Sequence, residues 1–275
     1  FGVTFGGDDE VPSIGILMMD NLGAEDEEFW SSGMTADLIT KVKGAGIIRV
    51  APLDDILNLD KELSLKEKAE KLRVKYILTH SFKIKEDGFE LWSTLEDIEN
   101  GVALFSNKIS EPMSMTTQMV GKLANDIITS LKIKTKQDVM KASTNNAEAY
   151  EYYLKARYIY DTWSTSEDIA ESITLCNKAI ELEKNSFDSY ELLGWIYFKR
   201  SDWSNAYKYF TLANHLAIKS ESFIDIAWSY VRLGDVIYYR DNDIEETKIL
   251  FDKALQIFSL YNHTFGISTI YYNLA

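Results

Sequence analysis

From Ala147 onward the chain carries no strand pattern, and small residues recur at repeat-like distances. Ser172 and Ala206 are 34 residues apart, as are Ala179 and Ala213; Gly194 and Gly234 are separated by 40, and both Ala213–Ala254 and Gly234–Ala275 by 41. Residues 190–213 read "YELLGWIYFKRSDWSNAYKYFTLA", two short helices joined by a turn, with Gly194 in the middle of the first and Ala206 and Ala213 on the second. A glycine inside a helix costs roughly 1 kcal/mol relative to alanine. Close backbone approach between paired helices is the need it answers. Recurrence of this kind predicts helix hairpins stacked into a solenoid, each burying its apolar face against its neighbours.

The first half has a different period. Ser13–Asp20 ("SIGILMMD") is a short continuous apolar run suited to a strand covered on both faces. Helical spacing follows over Phe29–Ala45, then a second strand at 47–52 ("IIRVAP") closed by proline. Ser64 with Glu67 three residues later predicts a capping box. Three strands come next, Tyr76–Lys85, Phe89–Asp97 and Val102–Ser110, with the glycine-ending connections "EDG" and "ENG" of tight hairpins. A helix over Ser114–Ile133 closes the unit. The expected architecture is an α+β domain with a βαβ start and an antiparallel meander in a mixed sheet, over 12–134. Residues 135–146 read as a linker, and 147–275 as the all-α solenoid.

Composition narrows the function classes. A formal charge of −14 with no basic stripe argues against nucleic-acid binding and against an anionic membrane surface. No apolar run approaches the ~18 residues of a membrane span. The single cysteine, Cys176, rules out an intrachain disulfide and falls on the apolar side of a helix. His80, His215 and His263 are spaced too widely to suggest a metal site, and no catalytic motif occurs. The acidic runs "GGDDE" and "GAEDEEF" read as solvated loops; the second precedes a helix N-terminus, where carboxylates suit the macrodipole but repel phosphate at Ser31–Gly33. The turn at Asn21–Gly23 is a candidate small-ligand pocket. No enzyme, cofactor or metal is expected of this chain.

The helical half resembles the tetratricopeptide repeats. In its best copy Tyr190, Leu193, Gly194, Tyr197, Ala206, Phe210 and Ala213 stand at the family's main packing positions. A first copy uses Tyr152, Ala156, Ile159, Ser172, Cys176 and Ala179, with about four extra residues between its helices. A third uses Leu233, Gly234, Phe251 and Ala254, and a fourth starts at "GISTIYYNLA" and is expected to continue with at least one more helix. The family's helix-ending proline is absent. The resemblance implies a concave groove that docks a protein or peptide, lined by Tyr150, Tyr153, Arg157 and Tyr160, then Asp188, Glu191, Trp195, Phe198 and Lys199, then Trp228, Asp235, Tyr238 and Tyr239.

The first half resembles the amino-terminal TolB-like (FlgO-type) domain, through "PSIGILMMDNLG", "FWSSGMTADLITKVK", "IIRVAP", "KAEKLRVKYILTHSFK" and "FELWSTLEDIENGVALFSNKI". Met18–Met19 and His80–Ser81–Phe82 depart from the family pattern. The pair of domains in this order looks like the carboxy-terminal half of bacterial signalling proteins, in which a nucleotide cyclase, a winged helix or a kinase precedes. Residues 1–11 would then be a linker from a missing upstream region. The resemblance implies a non-catalytic interaction and regulatory module in the cytoplasm. The alternatives are the regulatory tail of an upstream cyclase or kinase, a small-ligand sensor acting through the first domain, and a periplasmic location.

Overall fold

The structure is a computed structural model that describes residues 11–274 apart from 46–47, 87, 136–139, 141–143, 145 and 262. Most of both expected linkers, 1–11 and 135–146, lies outside the described residues, as does Ala275. The chain builds an α+β unit and then a run of helices. In the first unit the order is β1 (Ser13–Ile16), β2 (Asp20–Asn21), α1 (Glu28–Gly44), β3 (Arg49–Val50), α2 (Leu53–Leu57), α3 (Leu65–Leu72), β4 (Tyr76–Lys85), β5 (Gly88–Asp97), β6 (Val102–Glu111) and α4 (Thr116–Ser130).

The sheet runs β3-β1-β4-β5-β6, with β2 extending the pairing to β4. β1 is parallel to β3 and β4, whereas β4, β5 and β6 form the antiparallel meander, in register at Phe82↔Leu91 and Leu91↔Ile109. Of the strand expected at 47–52, Ile47 lies outside the described residues, and β3 pairs with β1 in register at Arg49 and Val50, with Ala51 N donating to the Ile14 carbonyl at 2.9 Å. The chain then turns at Pro52 into α2, a helix too short to show a period in the sequence. The capping box at Ser64 forms as expected, with Glu67 N donating to the Ser64 hydroxyl at 3.3 Å. Gly88 enters β5 at φ +152°, and a Cβ there would strike the Glu111 carbonyl oxygen, so the meander depends on glycine at this turn.

The helical run is α5 (Ala147–Thr162), α6 (Ser166–Leu182), α7 (Phe187–Lys199), α8 (Trp203–Lys219), α9 (Phe223–Asp241), α10 (Ile244–Leu260) and α11 (Thr264–Leu274). Side-chain caps from Asn146, Thr165, Asp202 and Asp243 start four of them, each accepting from a backbone N–H three residues on. The small residues lie at helix crossings. A Cβ on Gly194 would overlap the Phe210 ring; one on Gly234 would come within 2.6 Å of Phe251, and one on Gly266 within 2.6 Å of Phe258. In the α5–α6 pair, Ser172 Oγ donates to the Ala156 carbonyl at 2.8 Å, so a small polar residue makes the approach there. Cys176 is buried, as expected.

The two units share a core. One buried apolar cluster extends from Ile14 and Phe82 in the sheet, through Trp30, Met34 and Leu38 of α1, into Tyr150 and Leu154 of α5 and Leu193 and Ile196 of α7. The units approach closely at Gly33, where a Cβ would come within 2.6 Å of Leu154. The change of period in the sequence therefore marks a change of architecture without a break in the packing.

Candidate functional site

The groove positions fall into two sets with different surroundings. At the α5 end, Tyr150 is 2% exposed and Tyr153 8%. The Tyr150 ring lies 6.1 Å from that of Trp30, and its hydroxyl donates to Asp37 Oδ2 of α1 at 2.6 Å. Burial holds the Asp37 carboxyl above its usual range, against the lowering effect of the Tyr150 hydrogen bond. Burial also raises Asp188 well above its usual range, reinforced by the like charges of Asp37, Asp225 and Glu191 and opposed by Lys41 of α1. Helix α1 thus covers this end of the inner face. Further along, Lys43 of the same helix sits 4.6 Å above the Phe265 ring of α11. Arg157 pairs with Asp161 at 2.8 Å, and Tyr160 is half-buried one turn beyond Ala156.

The second set is less covered: Lys199, Tyr238 and Tyr239 are exposed and its other members are half-buried. Glu191 Oε1 lies 3.7 Å from Arg232 Nε, and the Arg232 guanidinium is held 4.4 Å from the Trp195 ring and 4.9 Å from Trp228. Trp228 packs in turn on Phe258, His263 and Phe265. Trp195 leads edge-on to Phe198 at 5.5 Å. Phe198 meets Trp203 and Tyr239, and the last two stack at 5.6 Å. Tyr238 and Tyr239 are 46% and 60% exposed, and Lys199 is exposed at the end of α7.

Beside this wall lies a groove of about 810 Å³ bordered by Phe198, Asp235, Tyr238, Tyr239, Lys248 and Tyr272 among others. Asp235 Oδ1 accepts from Asn273 at 3.1 Å, and burial pushes the Asp235 carboxyl up to about 6 against the opposing Arg232 charge and the Asn273 hydrogen bond.

Three contributors to this wall were not among the expected groove residues. Trp203 opens α8, the second helix of its hairpin, so a pattern confined to first helices passes over it. Arg232 lies one turn after Trp228, and that i,i+4 spacing was its available signal. Lys248 belongs to α10, the second helix of the hairpin that α9 opens, so a pattern confined to first helices passes over it too.

In the sheet, His80 Nε2 lies 2.7 Å from the Leu17 carbonyl oxygen, and burial lowers the imidazole to about 4. Its Nδ1 and the hydroxyl of Ser93, directly opposite on β5, are buried without a hydrogen-bond partner. Ser31, expected near a helix start, lies within α1 and donates to the Met19 carbonyl. At the Asn21–Gly23 turn the chain uses its own groups: Asn21 bonds Gly23 N and Ala24 O, and Glu27 accepts from Ala24 N. Among the described residues no group of His, Cys, Asp and Glu could hold a metal, and no helix is long and apolar enough to cross a membrane.

No protein-family model matches the chain, and no curated protein matches it. Among solved structures, TolB from Acinetobacter baumannii is similar over 45% of this chain at 19% identity with a TM-score of 0.35, and the chain covers 29% of that protein's length. The lipoprotein GNA1162 from Neisseria meningitidis is similar over 44% of the chain at 13% identity with a TM-score of 0.32, covering 96% of that protein. A PelC dodecamer from Paraburkholderia phytofirmans, solved as a point variant, is similar over 48% at 13% identity with a TM-score of 0.29, covering 90% of that chain.

Proposed function

We propose that the chain is a non-catalytic docking module whose helical half, built like tetratricopeptide repeats, receives a protein segment on the open end of its inner face. The observation that carries this reading is the contiguous aromatic wall of Phe198, Trp203, Tyr238 and Tyr239 beside a groove of about 810 Å³. Exposed tyrosine and tryptophan supply large, rigid contact area and dominate interface hot spots. Helix α1 occupies the other end, so the partner engages α7, α9 and α10 rather than α5. The sequence resemblances support placing this module in a bacterial signalling protein, in the cytoplasm, downstream of an effector. Under that reading the TolB-like half acts as the platform that holds the solenoid.

Selection of a displayed random-peptide library on the full chain tests the docking reading. Enriched peptides should lose at least tenfold in affinity when Tyr239→Ala is introduced. They should keep their affinity in Lys66→Ala, on the exposed side of α3. Peptides insensitive to Tyr239→Ala would refute it.

A further inference from the structure

We infer that the groove bordered by α7, α9, α10 and α11 takes a lysine or arginine side chain of the docked segment, seated between the tyrosine wall and the Asp235 carboxylate. The inference rests on the docking reading above and assigns the chemistry of its anchor. Asp235, Tyr238 and Tyr239 lie at i, i+3 and i+4 of α9, so one face of one helix presents a carboxylate and two rings to the same space. A cation is attracted to the face of an aromatic ring, most strongly where it is partly desolvated.

The same surface already holds a cation in this way a short distance off. Arg232 lies between the rings of Trp195 and Trp228, with Glu191 as its carboxylate. Arg240 over Tyr207 at 4.5 Å and Lys43 over Phe265 at 4.6 Å repeat the contact elsewhere in the chain. Among the described residues no lysine or arginine is stacked on Phe198, Trp203, Tyr238 or Tyr239.

Charge complementarity selects the occupant. Among the described residues Asp235 is the carboxylate bordering the groove, and burial disfavours its ionised form. An arriving cation would stabilise that form, whereas an acidic segment would be repelled by it. Lys248 borders the groove from an exposed position, where solvent and salt screen its charge. The whole chain, at −14, also draws a basic partner toward this surface.

The test uses peptides selected on the full chain for dependence on Tyr239. They should share one lysine or arginine position. Replacing that arginine by citrulline should weaken binding at least tenfold to the parent chain and less than twofold to Asp235→Asn. Tyr239→Leu should weaken the arginine peptide more than the citrulline one, and Lys248→Gln should strengthen the arginine peptide by up to a few-fold. Unchanged thermal melts of Tyr239→Leu and Lys248→Gln keep these readouts free of folding effects. Tyr239-dependent peptides that bind equally with citrulline or glutamate at that position would overturn the cation assignment and leave the docking reading standing. Failure to select any Tyr239-dependent peptide would overturn both.

Discussion

Tyr150 and Tyr239 both belong to the expected groove set on first helices of their hairpins, one in the first turn of α5 and the other in the last turn of α9, yet one is 2% exposed and the other 60%. The difference is made by α1, which lays Trp30, Gly33 and Asp37 against α5 and leaves the outer turns of α7 and α9 open. An aromatic on a solenoid's inner face is thus a structural residue or a binding residue according to what the rest of the chain places over it. The covered end uses its tyrosines to join the two halves. The open end keeps a ring wall beside a partly buried carboxylate, Asp235, which accepts from Asn273.

The largest expected effect is at the covered end. Tyr150→Ala removes a fully buried ring and leaves Asp37 buried without its donor, and should destabilise the chain by about 3–5 kcal/mol in urea unfolding. A loss under about 1 kcal/mol would mean that α1 does not seal this face.

The next is a gain, at the open end. Asp235 binds a proton in the folded chain up to about pH 6 and in the unfolded chain only to about 3.8. Its raised value therefore removes stability as pH climbs from 4 to 6. Asp235→Asn should match the parent below pH 4 and exceed it by up to about 3 kcal/mol above pH 7. A variant less stable than the parent at pH 8 would show that the carboxylate is a structural partner.

Gly33→Leu and Gly194→Leu probe the joint between halves and the joint within a hairpin. Each should cost about 1–3 kcal/mol through overpacking against Leu154 and Phe210 respectively. If only Gly194→Leu destabilises, the two halves are held far more loosely than the shared core indicates.

The smallest effect is Tyr239→Ala, expected within about 0.5 kcal/mol of the parent because the side chain is mostly in water. A loss above 2 kcal/mol would move Tyr239 into the structural class with Tyr150 and remove the contrast.

The helical hairpins were legible because their determinants are local. Gly194, Gly234 and Ala206 announce close crossings to partners within about 20 residues, and the 3.6 period is written into each helix. The meander was legible for the same reason, since its alternation and its glycine turns lie in one continuous stretch. The strand at 47–52 was legible in its place, as β3, but not in its length, and α2 was not legible, because a five-residue helix leaves no periodic trace.

The groove positions illustrate the limit of a sequence. Residue types and helical spacing by themselves determined that Tyr150, Tyr153, Tyr238 and Tyr239 belong to first helices of stacked hairpins. Only the tertiary structure decided that the first two are core and the last two surface, and that Trp203, Arg232 and Lys248 join them. The physical reason is sequence distance: the Asp37–Tyr150 hydrogen bond spans 113 residues, and the Asp235–Asn273 bond 38. Contacts that far apart carry no period in either partner, so they exist only once distant elements have packed on each other.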